Sequence, residues 1–283
     1  MRVACAALAA ALAWGAGPQG RERTLNEFAV NAFKSNVGYT ESPAGVDPNE
    51  GVLCDWPAAP QLLGLDGAWQ TVYDAARAQG DAGVRKVDLH EGTEELSLEI
   101  YVASGIPAAR RHLLEVATNT MMREPPYRRG PANLGDLSIV SLQQDPVSVV
   151  WTLRNVCFHL SKTSSPLPLL NAADALDRLA RRHIVPGIAH YQPRLSGVQV
   201  SGKSVPAGQT LTIQILPAPG TDGARLTADF AMKGRQLQAR SQHGLTLEFT
   251  ASEPGAAEVL IHVIDKLNLM TRTETAKVDV TAQ

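Results

Sequence analysis

From Ser196 onward the chain runs in short stretches of alternating apolar and polar residues, and this pattern constrains its fold more tightly than any other feature. The stretches are Val198 to Val200, Leu211 to Leu216, Leu226 to Met232, Leu245 to Phe249, Val259 to Ile264 and Met270 to Val280, with polar or glycine-bearing turns between them. A period of two places successive side chains on opposite faces of a strand, so each stretch can bury one face and wet the other. The spacing predicts two sheets packed face to face over roughly 90 residues.

The run Gly244 to Phe249, then Glu253-Pro254-Gly255, then Val259 to Asp265, and the closing stretch Thr271 to Val280 resemble the last strands of bacterial immunoglobulin-like and PKD-like domains. The resemblance covers only the final third of the chain. It implies a β-sandwich module of the kind that serves as spacer, adhesin or appendage to an enzyme, and so implies no single job. The region has no cysteine, so the inter-sheet bridge of antibody domains has no counterpart here.

The preceding part mixes periods. Thr24-Leu25-Asn26-Glu27 reads as a capping box opening a helix whose apolar face is Leu25, Phe28, Ala29, Ala32 and Phe33. From Gly38 to Gly67, Pro43, Pro48, Pro57 and Pro60 bar regular structure and predict a long loop. Asp66 then reads as the N-cap of a helix carrying Trp69, Val72, Tyr73 and Ala76, closed by Gly80. A hairpin is expected from Val84 to Val102, turning at His90 to Glu94, and a helix from Pro107 bearing Ala109, Leu113, Val116 and Ala117. Leu137 and Ile139 mark a short strand. Val147 to Leu160 reads as one long strand with a β-bulge near Arg154-Asn155, where the inward positions change parity. A last helix runs from beyond Pro166 to about His183. The strands come in pairs joined by short turns, which predicts an α+β class: an antiparallel sheet covered on one face by helices, followed by the all-β immunoglobulin-like sandwich. The expected division is a signal peptide over 1–16, an α+β domain over 17–187, a linker over 188–195 and the sandwich over 196–283.

The signal peptide is read from Arg2, the apolar stretch Val3 to Trp14 and the small residues Gly15, Ala16 and Gly17, with cleavage near Ala16. No later segment reaches the roughly 20 apolar residues of a membrane span. The expectation is therefore a secreted, periplasmic or cell-envelope protein. In that compartment Cys54 and Cys157 are the one available pair, and a disulfide between them is expected; the alternatives are two inert thiols or a nucleophilic one. A net charge of -2 supplies no broad positive field for nucleic acid.

No chemical motif stands out. Cys157 and His159 share a strand face but are too loosely spaced to assign as a dyad, and a solvent-exposed polar face is the preferred account of the pair. His90, Glu91, Glu94 and Glu95 lack the repeated ligand spacing of a metal site, and neither a phosphate loop nor a nucleophile elbow occurs. No cofactor is implied. The most suggestive surface is Met121 to Arg129, which joins flexible methionines, two prolines, Tyr127 and three arginines, Arg123, Arg128 and Arg129; such a composition is enriched at protein interfaces. The functional expectation is a non-catalytic exported protein that binds another envelope or extracellular protein, with the C-terminal module as spacer or contact domain. The alternative is an exported hydrolase with a site near Cys54, Cys157 and His159.

Overall fold

A computed structural model describes residues 27–65, 67–119, 125–163 and 166–282. In chain order the elements are α1 (Glu27–Val37), β1 (Gly51–Val52), α2 (Ala59–Leu62), β2 (Gln70–Gln79), β3 (Ala82–Glu91), β4 (Glu94–Val102), α3 (Ile106–Thr118), β5 (Tyr127–Arg129), β6 (Leu137–Ser141), β7 (Ser148–Leu153), β8 (Val156–Lys162), α4 (Leu169–Arg181) and β9 (Ile184–Val185). Then follow β10 (Leu195–Val200), β11 (Ser204–Pro206), β12 (Thr210–Pro217), β13 (Leu226–Lys233), β14 (Leu237–His243), β15 (Thr246–Ala251), β16 (Gly255–Asp265) and β17 (Thr271–Thr281).

Strands take 46% of the described residues and helices 19%, so the expected α+β class is corrected to a mostly β chain with four short α-helices. The expected sequence of a sheet covered on one face and then a separate immunoglobulin-like domain is not what forms. Seven antiparallel strands make the first sheet, in the order β2-β3-β4-β8-β7-β6-β5. Both of its faces are covered. On one, Leu98, Ile100, Trp151 and Phe158 pack with α2 and with Leu169, Ala173, Leu176 and Ala180 of α4. On the other, Ile139, Val150 and Cys157 meet Ala109, Leu113 and Ala117 of α3 and Phe33 and Val37 of α1. A strand buried on both faces needs no polar alternation, which is why β7 is buried along its whole length.

The expected helix at Trp69 to Ala76 is strand β2, and Gly80, at φ 59°, turns it into β3. The spacing of Trp69, Val72, Tyr73 and Ala76 imitates a helix, yet Val72 and Tyr73 lie exposed on an edge strand. The bulge expected near Arg154-Asn155 is instead a two-residue hairpin turn, with Leu153 opposite Val156 and Arg154 at φ 53°. Asn155 is fully buried there; its Oδ1 accepts the N–H of Val52 at 2.7 Å, which ties the proline-rich loop to the turn. The expected leader, the Thr24 cap and Asp66 lie outside the described residues.

The C-terminal strands form two four-stranded sheets, β10-β12-β15-β14 and β11-β17-β16-β13, sharing a core that includes Leu211, Ile213, Phe249, Ile261 and Val278. The end of β16 and the turn after it leave that core and enter the first one: Ile264 of β16 and Leu269 and Met270 of the turn pack with the seven-stranded sheet. Gly83 makes this approach feasible, because a Cβ there would sit 2.0 Å from the Leu269 carbonyl oxygen. Polar ties surround the contact. Arg225 bridges Asp55 and Asp265, Thr271 Oγ1 donates to the Asp81 carbonyl at 2.6 Å, and the Trp56 N–H donates to the Leu267 carbonyl at 2.9 Å. No helix among the described residues is long and apolar enough to cross a membrane.

Candidate functional site

Helix α1 buries Phe33 and Val37 against the sheet, and the turn of helix before them faces outward, leaving Phe28 82% exposed. Beside it lies β5, the last strand of the seven-stranded sheet, paired among the described residues only with β6, through Tyr127 to Ser141 and Arg129 to Ile139. Between helix and strand runs a groove of about 610 Å³, walled by Phe28, Ala32, Asn36, Tyr127, Arg129 and Leu142. Leu142 is itself 60% exposed. Among the described residues the lining contains Arg128 and Arg129 but no carboxylate, and no ion pair among them engages either arginine. A groove of mixed polarity, with Phe28 and Leu142 exposed on its walls and two arginines at its rim, favours a ligand that joins apolar side chains to negative charge.

Tyr127 is held from behind. Its hydroxyl lies 3.2 Å from Ser148 Oγ, which lies 2.9 Å from His159 Nε2. Cross-strand register builds this row, since Tyr127 faces Ser141 and His159 faces Glu99. Ser141 Oγ accepts the backbone N–H groups of Val147 and Ser148 at 3.0 and 3.2 Å, fixing the start of β7. Burial pushes the His159 pKa below its usual value, so the neutral imidazole is favoured as Ser148's partner. Glu99 is bonded to His112 Nε2 at 3.1 Å, and that hydrogen bond holds its carboxyl below the usual range. The Tyr101 ring stacks on His112 at 3.7 Å, over a smaller hollow of about 210 Å³ lined by Asp81, Arg111 and Glu115 among others.

Three of the four surface residues expected from sequence, Tyr127, Arg128 and Arg129, line the groove, while Arg123 lies outside the described residues. The expected disulfide is corrected: Cys54 and Cys157 are both free and buried. Cys54 packs in the core on the α4 side of the sheet and Cys157 in the core on the α3 side, so the sheet stands between them. Burial, with Asp55 nearby, pushes the Cys54 thiol up to about 11, and burial raises Cys157 well above its usual value. Both thiols are therefore protonated and poor nucleophiles at neutral pH. Cys157 and His159 do share a face, but it is covered by α3 rather than solvated. His90 pairs loosely with Glu95 across the β3–β4 hairpin, and no group of three possible metal ligands occurs among the described residues. Sequence reasoning missed Phe28 as an exposed wall, Leu142 as the opposite one, and Ser148 as the link between Tyr127 and His159. Of these only Leu142 carried a signal, a lone large apolar residue before the polar turn Gln143 to Pro146.

No family model matches the chain, and no curated protein matches it. Among solved structures, a polysaccharide lyase aligns at 12% identity over 81% of this chain and 28% of its own, with a TM-score of 0.24. The chain thus spans about 28% of that lyase's length, and at this TM-score the likeness carries no argument about fold or activity.

Proposed function

We propose that this is an exported, non-catalytic binding protein that holds another envelope or extracellular protein in the groove between α1 and β5. One observation carries the reading: a groove of about 610 Å³ beside a sheet edge, with Phe28 and Leu142 exposed on its walls and, among the described residues, two arginines without an ion-pair partner at the rim. Exposed apolar walls facing one groove are surface that a partner can cover. The C-terminal sheets, docked through Leu269 and Arg225, serve as a spacer, a role also taken by the immunoglobulin-like and PKD-like modules their sequence resembles. Export follows from the leader read at 1–16, and two arginines on a chain of net charge -2 give nucleic acid little to hold.

A photo-crosslinking residue replacing Phe28 in intact cells tests this. A discrete adduct that disappears when Leu142 is changed to Asp is expected; adducts formed equally well from position 72 on the opposite edge would contradict it. A second reading, a hydrolase, is favoured by the contact between Ser148 Oγ and His159 Nε2, a nucleophile and base at bonding distance. Covalent labelling of Ser148 by a fluorophosphonate, lost in His159→Gln, would move that reading to first place.

A further inference from the structure

The groove's strand wall has a property that its side chains alone do not convey. In an antiparallel pair, alternate residues turn their N–H and C=O groups toward the partner strand and the others turn them away. The Leu142 N–H donates to the Pro126 carbonyl and the Gly130 N–H to the Ser138 carbonyl, so residues 126, 128 and 130 face β6. Tyr127 and Arg129 then point their backbone groups outward. Among the described residues these groups make no backbone hydrogen bond. A sheet edge with open donors and acceptors is a template for one more strand.

We infer that the partner enters as an extended segment that adds to β5 as an eighth strand, with apolar side chains against Phe28, Ala32 and Leu142 and carboxylates beside Arg128 and Arg129. The inference rests on the proposed binding role and names its mode and chemistry. Four observations converge on it. The edge is open at Tyr127 and Arg129. A helix lies alongside at a spacing that leaves about 610 Å³, enough for several side chains. Among the described residues the lining sets no carboxylate beside the positive charge of Arg128 and Arg129. Finally, the Tyr127 hydroxyl is fixed by Ser148, so the edge is organised before a ligand arrives and less ordering is required on binding. Main-chain bonds supply affinity in such complexes, and side-chain pockets supply selectivity.

The test uses the full chain and synthetic peptides of about nine residues, long enough for a short strand with flanks. One peptide has Val-Phe-Val at its centre and Asp and Glu at both ends. A second replaces the acidic ends with Lys, and a third keeps them but carries N-methylated central amides. Fluorescence anisotropy should show the acidic peptide binding roughly tenfold more tightly than the lysine peptide, with that order reversed in the Arg128→Glu/Arg129→Glu double variant. N-methylation should remove binding, because it deletes the strand's donors. Both arginines are exposed, so the double variant leaves the fold intact. Equal binding of the first and third peptides would overturn strand addition, and equal binding of the first two would overturn the acidic preference. A Phe28 crosslink that persists while no peptide binds would overturn the inference and leave the binding role standing.

Discussion

The two ends of the seven-stranded sheet are built to opposite purposes. At one end β2 is ten residues long and largely exposed, the kind of edge that invites unwanted pairing. It is interrupted by a register shift between Thr71 and Tyr73, and the Ala78 N–H donates to Asp229 Oδ2 at 2.6 Å, so the C-terminal sheets cap its far end. At the other end β5 is only three residues long, yet its outward backbone groups face a shaped trough instead of a cap. Length alone would choose the wrong edge as the binding surface. What distinguishes them is that one has been blocked by features costing sequence elsewhere, while the other is flanked by a helix and pinned through Ser148 and His159.

The largest way to break this contrast is Gly83→Ala. The new Cβ would meet the Leu269 carbonyl 2.0 Å away, a backbone atom that cannot swing aside. Urea unfolding should register a loss of roughly 3 kcal/mol or more, as for severe overpacking. Sedimentation should also show association once β2 is freed. Asp229→Ala is gentler, removing only the charged acceptor of the Ala78 N–H, and should cost about 1–2 kcal/mol while producing the same association more weakly.

A pH series sharpens the other end. His159 is held below its usual pKa by burial, so the unfolded chain takes up its proton first as pH falls. Stability should therefore be flat above the usual histidine value of 6.5, decline as pH drops through it, and level off once pH is below the lowered native value. His159→Gln should remove this segment of the curve and leave the carboxylate-dependent fall at lower pH. An unchanged segment would mean that His159 is not the group responsible. The smallest stability effect belongs to Phe28→Ser: at 82% exposure it should shift unfolding by less than about 0.5 kcal/mol, while weakening the acidic peptide's binding clearly.

How much of this was legible in the sequence follows from which positions burial disciplines. The β3–β4 hairpin was readable because Leu96, Leu98, Ile100 and Val102 all point into one core, and α4 was readable because Leu169, Ala173, Leu176 and Ala180 do likewise. Edges escaped. β2 has no buried face along most of its length to enforce alternation, and β14, paired only with β15, keeps little more than Leu237 buried. The double-sided burial of the first sheet also hid where β7 ends: buried along its whole length, it merged with β8 into one expected strand from Val147 to Leu160, while β6 was legible from Leu137 and Ile139. At the site, Tyr127, Arg128 and Arg129 were legible by composition, because aromatic and arginine residues in a proline-stiffened loop already point to contact. The bond between Ser148 and His159 was not legible, since it depends on strand register across a turn read as a bulge. Phe28 was read as core for a related reason: helical spacing says which residues share a face and not which part of that face the sheet reaches.

The most direct test of the account is residue-resolved amide hydrogen exchange on the full chain, with and without a saturating amount of the acidic peptide. The account predicts that the N–H groups of Tyr127 and Arg129 slow markedly on binding while those along β2 are unchanged. Slowing along β2, or peptide binding that leaves the Tyr127 and Arg129 amides as fast as before, would contradict it.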